Sequence, residues 1–491
     1  MAKELKVTST RYWKVVFFLG LTAAIAYRAA AQTSSPALFG TSGSPTTGSI
    51  AQIVSAGGWD TTLTLVNFSP TPVGTTLNFF DQSGNPLSLP FTFPQGGMTA
   101  MTESTIIGSI NGHGLLLVDT TGLPTQPVNV GWSLLQANSS VSGYAVFTNT
   151  PNNWQAAVPL DTLNASSYLL AFDNTAALNT GLALANLSQQ AANVNVIIRN
   201  DSGTTIGTET INVPAQGHTS FTLSSVYPIT AGIRGTIELD TPAGGQINVL
   251  GLRANGPALT TVPVLAQVGT GGGSIAHVTY NQGWQTTFTL VNTGTSSAQA
   301  TLSFFDDSGT PLQMSVTFPQ TGAASTSSTI TETLAAGATL IIETIDDPYR
   351  AVTGSALLTT TGNVGGFAIF RYDPSQQEAV VPLETRNASS YTVPYDNTNG
   401  NMTGLALANE TDQPITLTLV VRNDSGTEIK GGSISLAGYG HTAMDLAQTF
   451  PATAETLGTV EIDALEGGVF SALGIRFTPS QNITTIPVLV Q

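Results

Sequence analysis

Apolar and polar residues alternate with a period of two along many short runs of this chain. In TTLTLVN, residues 61–67, leucines alternate with threonines, and in NVNV, residues 193–196, valines alternate with asparagines. Successive side chains of a strand point to opposite faces, so this pattern predicts β-strands with one buried face. Only residues 444–458 resemble a short helical turn, and Pro451 interrupts them. We therefore expect an all-β chain.

The chain repeats itself at two levels. WDTTLTLVN at residues 59–67 returns as WQTTFTLVN at 284–292, and TGLALAN at 180–186 returns unchanged at 403–409. Each half also divides, because TTLTLVN resembles TGLALAN. Repeats of this length indicate tandem domains, and a single core usually contains about 100 to 200 residues. The sequence predicts four tandem β-sandwich modules arranged as a duplicated pair, in the order A-B-A′-B′.

Composition places the boundaries of these modules. Residues 32–46, rich in Ser, Thr and Gly, are predicted to be a flexible leader, and the Gly-rich run at 268–273 is predicted to link the two halves. The predicted modules are A at 47–162, B at 163–267, A′ at 274–385 and B′ at 386–491.

A turn motif recurs once in each module. FFDQSGNPL at 79–87 returns as FFDDSGTPL at 304–312, and the B modules contain IIRNDSGTT at 197–205 and VVRNDSGTE at 420–428. A short Asp or Asn side chain accepts hydrogen bonds from nearby amides, and glycine takes the left-handed conformation that closes the turn. The predicted structural turn residues are Asp81, Gly84, Asp201, Gly203, Asp306, Gly309, Asp424 and Gly426.

The alternative for this motif is a calcium loop. Asp81, or Asp306 with Asp307, would supply the carboxylates, because calcium prefers clustered oxygen ligands. The several spaced carboxylates and the distal glutamate of a complete calcium loop are missing from the motif. We therefore prefer the structural turn.

The N-terminus has the features of an export signal. Four basic residues precede the apolar run VVFFLGLTAAIA at 15–26, and small residues ending at Ala26 or Ala31 would suit a signal peptidase. The run is short for a bilayer span, although a membrane anchor is the alternative. We predict a signal peptide over residues 1–31, a secreted or cell-surface location, and no membrane insertion after cleavage.

Charge narrows the class of partner. Charged residues make up 9% of the chain, and removing residues 1–31 leaves 9 basic and 29 acidic residues, a net charge of −20. An acidic surface repels phosphate backbones and anionic lipids, so nucleic acid is an unsuitable partner. The sequence has no cysteine, which excludes disulfides and thiol chemistry. Stability must come from packing and from the hydrogen bonds of the sheets.

No motif for catalysis or cofactor binding stands out. His218 and His441 occupy equivalent places, in GHTS and GHTA, where we expect a turn before a strand. The metal motif HExxH, the nucleophile context GxSxG and a phosphate-binding glycine loop are missing. Paired acids in TIELD at 236–240 and TVEID at 459–463 are expected on the solvated face of a strand. We predict no enzyme activity, no cofactor and no metal.

Arginines offer a further hypothesis for ligand binding. Arg199 and Arg422 directly precede the NDSG turns of the B modules, where we expect them to bridge Asp201 or Asp424, or to pack along the sheet. An anion or uronic-acid site is the alternative.

Two tryptophans are the predicted ligand contacts. Trp132 and Trp154 occur only in the first half, and Trp154 lies in the loop-like stretch TNTPNNWQAAV. An exposed tryptophan face can stack on a sugar ring. We expect Trp154, and after it Trp132, to contact a ligand.

Through the repeated units of strand, Asx-x-Ser-Gly turn and strand, residues 47–491 resemble the immunoglobulin-like β-sandwich repeats of bacterial secreted and cell-surface proteins. The Cys…Trp…Cys signature of immunoglobulin domains is missing, and this fold does not specify a function. Our first hypothesis is a non-catalytic secreted structural or adhesive protein that presents its surfaces to extracellular glycans, proteins or matrix. The alternatives are a self-assembling fibre or pilus-like subunit, and a secreted hydrolase accessory or carbohydrate-binding protein.

Overall fold

The computed structural model describes most of the chain after the predicted leader. The predicted signal peptide, leader residues 32–44 and linker residues 268–271 lie outside the described residues. The described residues are 45–163, 165–241, 245–265, 272–348 and 350–490.

The described residues form eight antiparallel sheets and almost no helix, which confirms the prediction of an all-β chain. Among these residues there are two single-turn helices, α1 (Leu223–Val226) and α2 (Leu446–Thr449). The second lies within the predicted helical stretch and ends before Pro451, which begins a 3-10 turn. Other 3-10 turns are Thr150–Asn152, Pro228–Thr230 and Leu465–Gly467.

The first pair of sheets is built from residues 46–159, called segment 1 here. One sheet has the order β1-β8-β3-β6 and the other β10-β9-β2-β7-β4-β5. The strands are β1 (Thr46–Ser55), β2 (Trp59–Asn67), β3 (Val73–Asp81), β4 (Leu89–Thr92), β5 (Met101–Glu103), β6 (Thr105–Ile110), β7 (Leu115–Thr120), β8 (Asn129–Ala137), β9 (Val141–Asn149) and β10 (Trp154–Pro159).

Segment 2, residues 167–265, forms the next two sheets, with the orders β14-β13-β16-β11-β19 and β15-β12-β17-β18. The strands are β11 (Ser167–Asp173), β12 (Leu178–Asn186), β13 (Ala192–Asn200), β14 (Thr205–Val213), β15 (His218–Thr222), β16 (Arg234–Asp240), β17 (Ile247–Asn255), β18 (Ala258–Val262) and β19 (Val264–Leu265).

Segment 3, residues 273–382, has the orders β20-β27-β22-β25 and β24-β23-β26-β21-β28-β29. These are the strand orders of segment 1. The strands are β20 (Gly273–Tyr280), β21 (Trp284–Asn292), β22 (Ala298–Asp306), β23 (Met314–Phe318), β24 (Ala323–Ser327), β25 (Thr329–Leu334), β26 (Thr339–Thr344), β27 (Val352–Thr360), β28 (Val364–Tyr372) and β29 (Gln377–Pro382).

Segment 4, residues 390–486, has the orders β30-β35-β32-β33 and β34-β31-β36-β37. Apart from the two-residue strand β19, these are the orders of segment 2. The strands are β30 (Ser390–Asp396), β31 (Met402–Asn409), β32 (Ile415–Asn423), β33 (Glu428–Leu436), β34 (His441–Asp445), β35 (Leu457–Ala464), β36 (Phe470–Phe477) and β37 (Ile483–Ile486).

Alternating side chains of the strands fill the cores between sheets. In segment 1, Leu77 and Phe79 of β3 face Leu63 and Phe91 of the other sheet, and all four are at most 1% exposed. The rings of Phe79 and Phe91 lie 4.7 Å apart. The period of two in the sequence thus reports the buried face of each strand.

Apolar contacts also join the segments. Ala183 and Leu250 of segment 2 belong to the core of segment 1, and Phe367 of segment 3 belongs to the core of segment 2. Ile486 of segment 4 packs on Tyr144 of segment 1. Strands β10, β18, β29 and β37 contact one another in that cyclic order. The four segments therefore pack in a closed cycle, in which segment 4 returns to segment 1.

Candidate functional site

The recurring motif folds as a tight turn at the end of a strand in every segment. In segment 1 the Asp81 carboxylate accepts hydrogen bonds from the amides of Ser83 and Asn85, both at 2.8 Å. The Gly84 amide donates to the Asp81 carbonyl at 3.1 Å, and Gly84 has φ +85°. We call residues 81–84, 200–203, 306–309 and 423–426 the SG turns.

Segments 2 and 4 place a different side chain at the first position of this turn. The amide of Thr204 donates to Oδ1 of Asn200 at 2.9 Å, and the amide of Thr427 donates to Oδ1 of Asn423 at 2.9 Å. Asp201 and Asp424, named from the sequence, occupy the second position of their turns. Their carboxylates do not cap the turn, and the structure gives these residues another role.

Each SG turn docks on the next segment through the carbonyl of its second residue. The acceptors are Gln82, Asp201, Asp307 and Asp424, and the respective donors are the amides of His218 at 3.1 Å, Thr339 at 2.9 Å, His441 at 3.2 Å and Leu115 at 2.9 Å. We call residues 112–115, 215–218, 336–339 and 438–441 the receiving turns. The docking order is segment 1 to 2, 2 to 3, 3 to 4 and 4 to 1.

Glycine is required at the fourth position of each SG turn for two reasons. All four glycines have φ between +82° and +85°, a region that other residues rarely adopt. A Cβ atom would also lie about 2 Å from a carbonyl oxygen of the receiving turn, for example 1.9 Å from Gly438 at Gly309 and 1.9 Å from Gly112 at Gly426. Close approach of two backbones therefore holds the segments together.

Buried asparagines support the receiving turns. Asn67, Asn186, Asn292 and Asn409 end the repeated LVN and LAN motifs, and each is at most 2% exposed. The backbone amide of each donates to a carbonyl of the adjacent receiving turn at 2.9 to 3.0 Å. The side-chain amide of each donates to further loop carbonyls. Their recurrence at the end of a strand in all four segments is the sequence signal from which this role could have been predicted, and it was missed.

The junction of segments 3 and 4 contains a chain of three polar side chains. Nδ1 of His441 lies 2.8 Å from Oδ1 of Asp307, and Nε2 of His441 lies 3.1 Å from Nδ1 of His277. The hydroxyl of Thr353 donates to the Asp307 carboxylate at 3.1 Å. Because the carboxylate only accepts, His441 donates from Nδ1, and its Nε2 accepts the proton of His277. The chain runs from exposed Asp307 into the junction.

Burial shifts the pKa of His277, and hydrogen bonding shifts that of Asp307. Burial, together with the charge of the neighbouring His441, lowers the pKa of His277 to about 3. The hydrogen bond from His441 lowers the pKa of the Asp307 carboxyl, and the hydrogen bond from Thr353 adds to this shift. At neutral pH His277 is therefore neutral and the Asp307 carboxyl is ionised, and His441 contacts both.

The equivalent junction of segments 1 and 2 lacks the carboxylate. Gln82 stands in the place of Asp307, Gln52 in that of His277, and His218 in that of His441. Burial lowers the pKa of His218 to about 3. The prediction that His218 and His441 lie in a turn before a strand agrees with their positions, where each begins a strand, β15 or β34.

Both predicted tryptophan contacts are buried, so the expectation that they are exposed is wrong. Trp132 is 0% exposed and stacks on Phe80 with ring centroids 4.9 Å apart. Its Nε1 donates to the carbonyl of Gln216 in segment 2 at 2.7 Å. Trp154 is 7% exposed, begins β10 and packs against Trp59. The polar loop before Trp154 concealed the strand that follows it.

The arginines pair with glutamates across their sheets rather than with the turn aspartates. Arg199 contacts Glu238 at 2.6 Å, and Arg422 contacts Glu461 at 3.1 Å. The expected bridge to Asp201 or Asp424 is wrong, because Glu238 is the diagonal neighbour of Arg199 on the adjacent strand and Asp201 lies beyond the strand end.

A second charged cluster joins segments 2 and 3. Glu378 is 1% exposed, and its carboxylate contacts Arg253 at 3.0 Å and Arg371 at 3.2 Å. Arg371 also contacts exposed Asp373 at 2.9 Å. Buried ionic groups here have partners on both sides of the junction.

Within the described ranges, no group of three or more His, Asp or Glu side chains is arranged to hold a metal ion. The Asp81 and Asp306 carboxylates of the proposed calcium loop accept amide hydrogen bonds of their own turns. No helix in the described part of the chain has the length and apolar character needed to cross a membrane.

No family model matches the chain, and no curated protein matches it. Trypsin-activated alpha-2-macroglobulin of Escherichia coli aligns at 9% identity over 89% of this chain and 41% of that one, with a TM-score of 0.11. Salmonella alpha-2-macroglobulin reacted with methylamine aligns at 12% identity over 86% and 28%, with a TM-score of 0.10. The chain spans less than half the length of either, and similarity this low supports no conclusion about function.

Proposed function

We propose that this chain is a non-catalytic, secreted structural or adhesive protein. Its four segments are four immunoglobulin-like β-sandwich modules, arranged as the duplicated pair A-B-A′-B′. Two sheets in each segment, and strand orders that repeat between segments 1 and 3 and between segments 2 and 4, support this arrangement. The export signal in the sequence supports secretion.

The observation that carries the proposal is the cyclic docking of the four SG turns. Every turn is used to hold a neighbouring segment, and segment 4 is held on segment 1 by the same contact as the connected segments. A body fixed in this way presents its outer loops and sheet faces in a constant arrangement. Pre-organised surfaces bind large partners without the cost of ordering themselves first.

The polar groups that would be candidates for chemistry serve the junctions instead. The carboxylates of Asp307 and Glu378 and the side chains of His441 and Arg253 all bond to groups of an adjacent segment. An acidic surface with a single lysine after residue 31 suits neutral glycans, basic proteins or matrix, and disfavours nucleic acid.

The test is retention of the purified chain, beginning at residue 32, on extracellular surfaces. Glycan arrays and immobilised matrix polymers should retain it specifically, and chromogenic glycosides and esters should remain unchanged. The Gly426→Ala variant, which opens the cycle, should be retained less at equal folded concentration. Hydrolysis that a single acid or serine substitution abolishes would contradict the proposal.

A self-assembling fibre subunit is the second candidate. Strands β14 and β33 are nine residues long and end their sheets, and most of their residues are exposed or half-buried. Such edges can pair with another strand. Light scattering and negative-stain microscopy of the secreted form decide this candidate, since monodisperse monomers at high concentration would contradict it.

A further inference from the structure

Two junctions connect the halves of the chain, and they make the same contacts. At the first, the amide of Thr339 in segment 3 donates to the carbonyl of Asp201 in segment 2 at 2.9 Å. At the second, the amide of Leu115 in segment 1 donates to the carbonyl of Asp424 in segment 4 at 2.9 Å. We call these the 2-3 junction and the 4-1 junction.

The apolar contacts of the two junctions also correspond. Phe367 and Tyr144 occupy the same register position, opposite Thr289 in segment 3 and opposite Thr64 in segment 1. At the 2-3 junction the residues of segment 3 that join the core of segment 2 are Val291, Phe367, Ile369 and Val380. At the 4-1 junction their counterparts, packed with residues of segment 4, are Val66, Tyr144, Val146 and Ala157.

Of these two junctions, only the 2-3 junction lies between segments that are consecutive in the chain. The 4-1 junction joins segments at opposite ends of the described chain, and none of its contacts depends on their belonging to one copy. We propose that a second copy of this chain supplies the partner half, so that segment 4 of one copy docks on segment 1 of another. The assembly is a domain-swapped dimer. The first half of each copy packs on the second half of the other copy, through the same contacts that the two halves make within one copy.

The two junctions differ in their polar contacts, and these differences favour the pairing of segment 4 with segment 1 over that of segment 2 with segment 1. Glu378 of the 2-3 junction binds Arg253, whereas Gln155 holds the equivalent place at the 4-1 junction and accepts a hydrogen bond from Thr484 at 2.9 Å. A mispaired contact of segment 2 with segment 1 would leave Arg253 without its carboxylate, which disfavours it. Exchange therefore preserves the native partners.

Chain concentration during folding decides which form is made. A short connection between two halves gives an effective concentration in the millimolar range, so the single-copy form dominates in dilute solution. After folding, exchange requires both junctions to open in the same molecule, so it is slow. The exchanged form should arise when many chains fold together.

The absence of cysteine from the sequence allows a direct test in the full chain. Asn153 of segment 1 and Ser480 of segment 4 touch across the 4-1 junction, where Nδ2 of Asn153 donates to the Ser480 carbonyl at 3.0 Å. Copies carrying Asn153→Cys and copies carrying Ser480→Cys are unfolded together, refolded as a mixture and treated with a short bismaleimide. A covalent dimer then forms only where segment 4 of one copy rests on segment 1 of another.

Two controls make every outcome decisive. The same two variants refolded separately and then mixed report chance collisions, and a chain carrying both substitutions reports the reach of the reagent. We expect the co-refolded mixture to give clearly more dimer than the separate mixture, and the fraction of chains in the dimer should rise about tenfold for a tenfold higher chain concentration while dimer is the minor species. With the internal cross-link of the double variant showing that the reagent spans the 4-1 junction, equal dimer in both mixtures would overturn the proposal.

Discussion

The carbonyl oxygen of Asp424, near the end of the chain, accepts a hydrogen bond from the amide of Leu115, near its beginning, at 2.9 Å. This contact repeats the one that Asp307 makes with the adjacent segment. The SG turn, which recurs four times in the sequence, thus closes the cycle of segments. Substitutions in this turn should weaken the junctions.

Replacing a glycine of an SG turn should lower the free energy of unfolding by more than the conformational strain alone accounts for. Gly309→Ala places a Cβ 1.9 Å from the carbonyl of Gly438, whereas Gly322, with φ +71°, has no atom within 4 Å of the corresponding position. Both variants carry the strain of a left-handed residue, about 1–2 kcal/mol. Gly309→Ala should lose a further 1–3 kcal/mol, roughly, because backbone must move. Urea unfolding measures both, and equal losses would refute the docking role.

Stability should fall as the solution is acidified from about pH 6.5 towards pH 3. The folded state holds His277 and His218 neutral with pKa values of about 3, whereas unfolded histidine has a pKa near 6.5. Between these values the unfolded state binds more protons at these two histidines, so acid favours unfolding through them, whereas burial raises the pKa of Glu410 to about 7 and that single group acts in the opposite direction. The lowered pKa of Asp307 adds to this loss as the pH falls from the range in which unfolded carboxyls titrate towards the folded pKa of Asp307.

Substitution of one histidine should reduce this pH dependence. His277→Gln, the residue found at the equivalent position 52, should lower the slope of unfolding free energy against pH by up to about 1.4 kcal/mol per pH unit near pH 5. His218→Gln should act similarly, and the double variant should show the sum. Urea midpoints at pH 4 to 7 provide the measurement. An unchanged slope in both single variants would show that these histidines are not held neutral.

Glu378 and Asp373 allow a matched comparison of how much a buried and an exposed carboxylate contribute to stability. Both contact Arg371, but Glu378 is 1% exposed and the Asp373 side chain is 57% exposed. Glu378→Gln leaves two arginines without a buried counter-charge and should cost about 3–5 kcal/mol. Asp373→Asn should cost less than about 1 kcal/mol. Thermal unfolding separates the two, and similar small losses would mean that the buried cluster does not hold segments 2 and 3.

Trp132→Phe should weaken the junction of segments 1 and 2. Phenylalanine keeps a ring to stack on Phe80 but loses the Nε1 donor to the Gln216 carbonyl. An unpaired buried carbonyl costs about 1–3 kcal/mol. Chemical denaturation checks the loss, and acrylamide should barely quench the buried Trp132 in the native chain. Strong quenching of this tryptophan would instead indicate an exposed ring.

The alternation of apolar and polar residues in the sequence was sufficient to predict the strands. Alternation around Leu63 and Leu65 reports a face that is buried against the opposite sheet, and this follows from strand geometry alone. The conformation of the SG turns followed in the same way from the short side chain of Asp81 or Asp306 and from glycine.

The residues that the sequence did not place correctly are those whose surroundings are set by tertiary contacts. Asp307 lies in a turn with no local hint of a partner, and His441 is more than a hundred residues away in the chain. Trp154 follows a polar loop that suggests exposure, but Trp154 of β10 and Trp59 of β2 both lie opposite Asn149 of the intervening strand β9, and their rings contact each other. Burial and pairing here are set by tertiary packing, which periodicity within one strand does not encode.

Cleavage between the halves tests the closed cycle most directly. A protease site is inserted between Leu265 and Gly272, the folded chain is cut, and the product is examined by size-exclusion chromatography under native conditions. If the 2-3 and 4-1 junctions hold the halves as described, both pieces elute together at the position of the uncut chain and separate only in denaturant. Separation of the pieces directly after cleavage, without denaturant, would contradict the closed cycle.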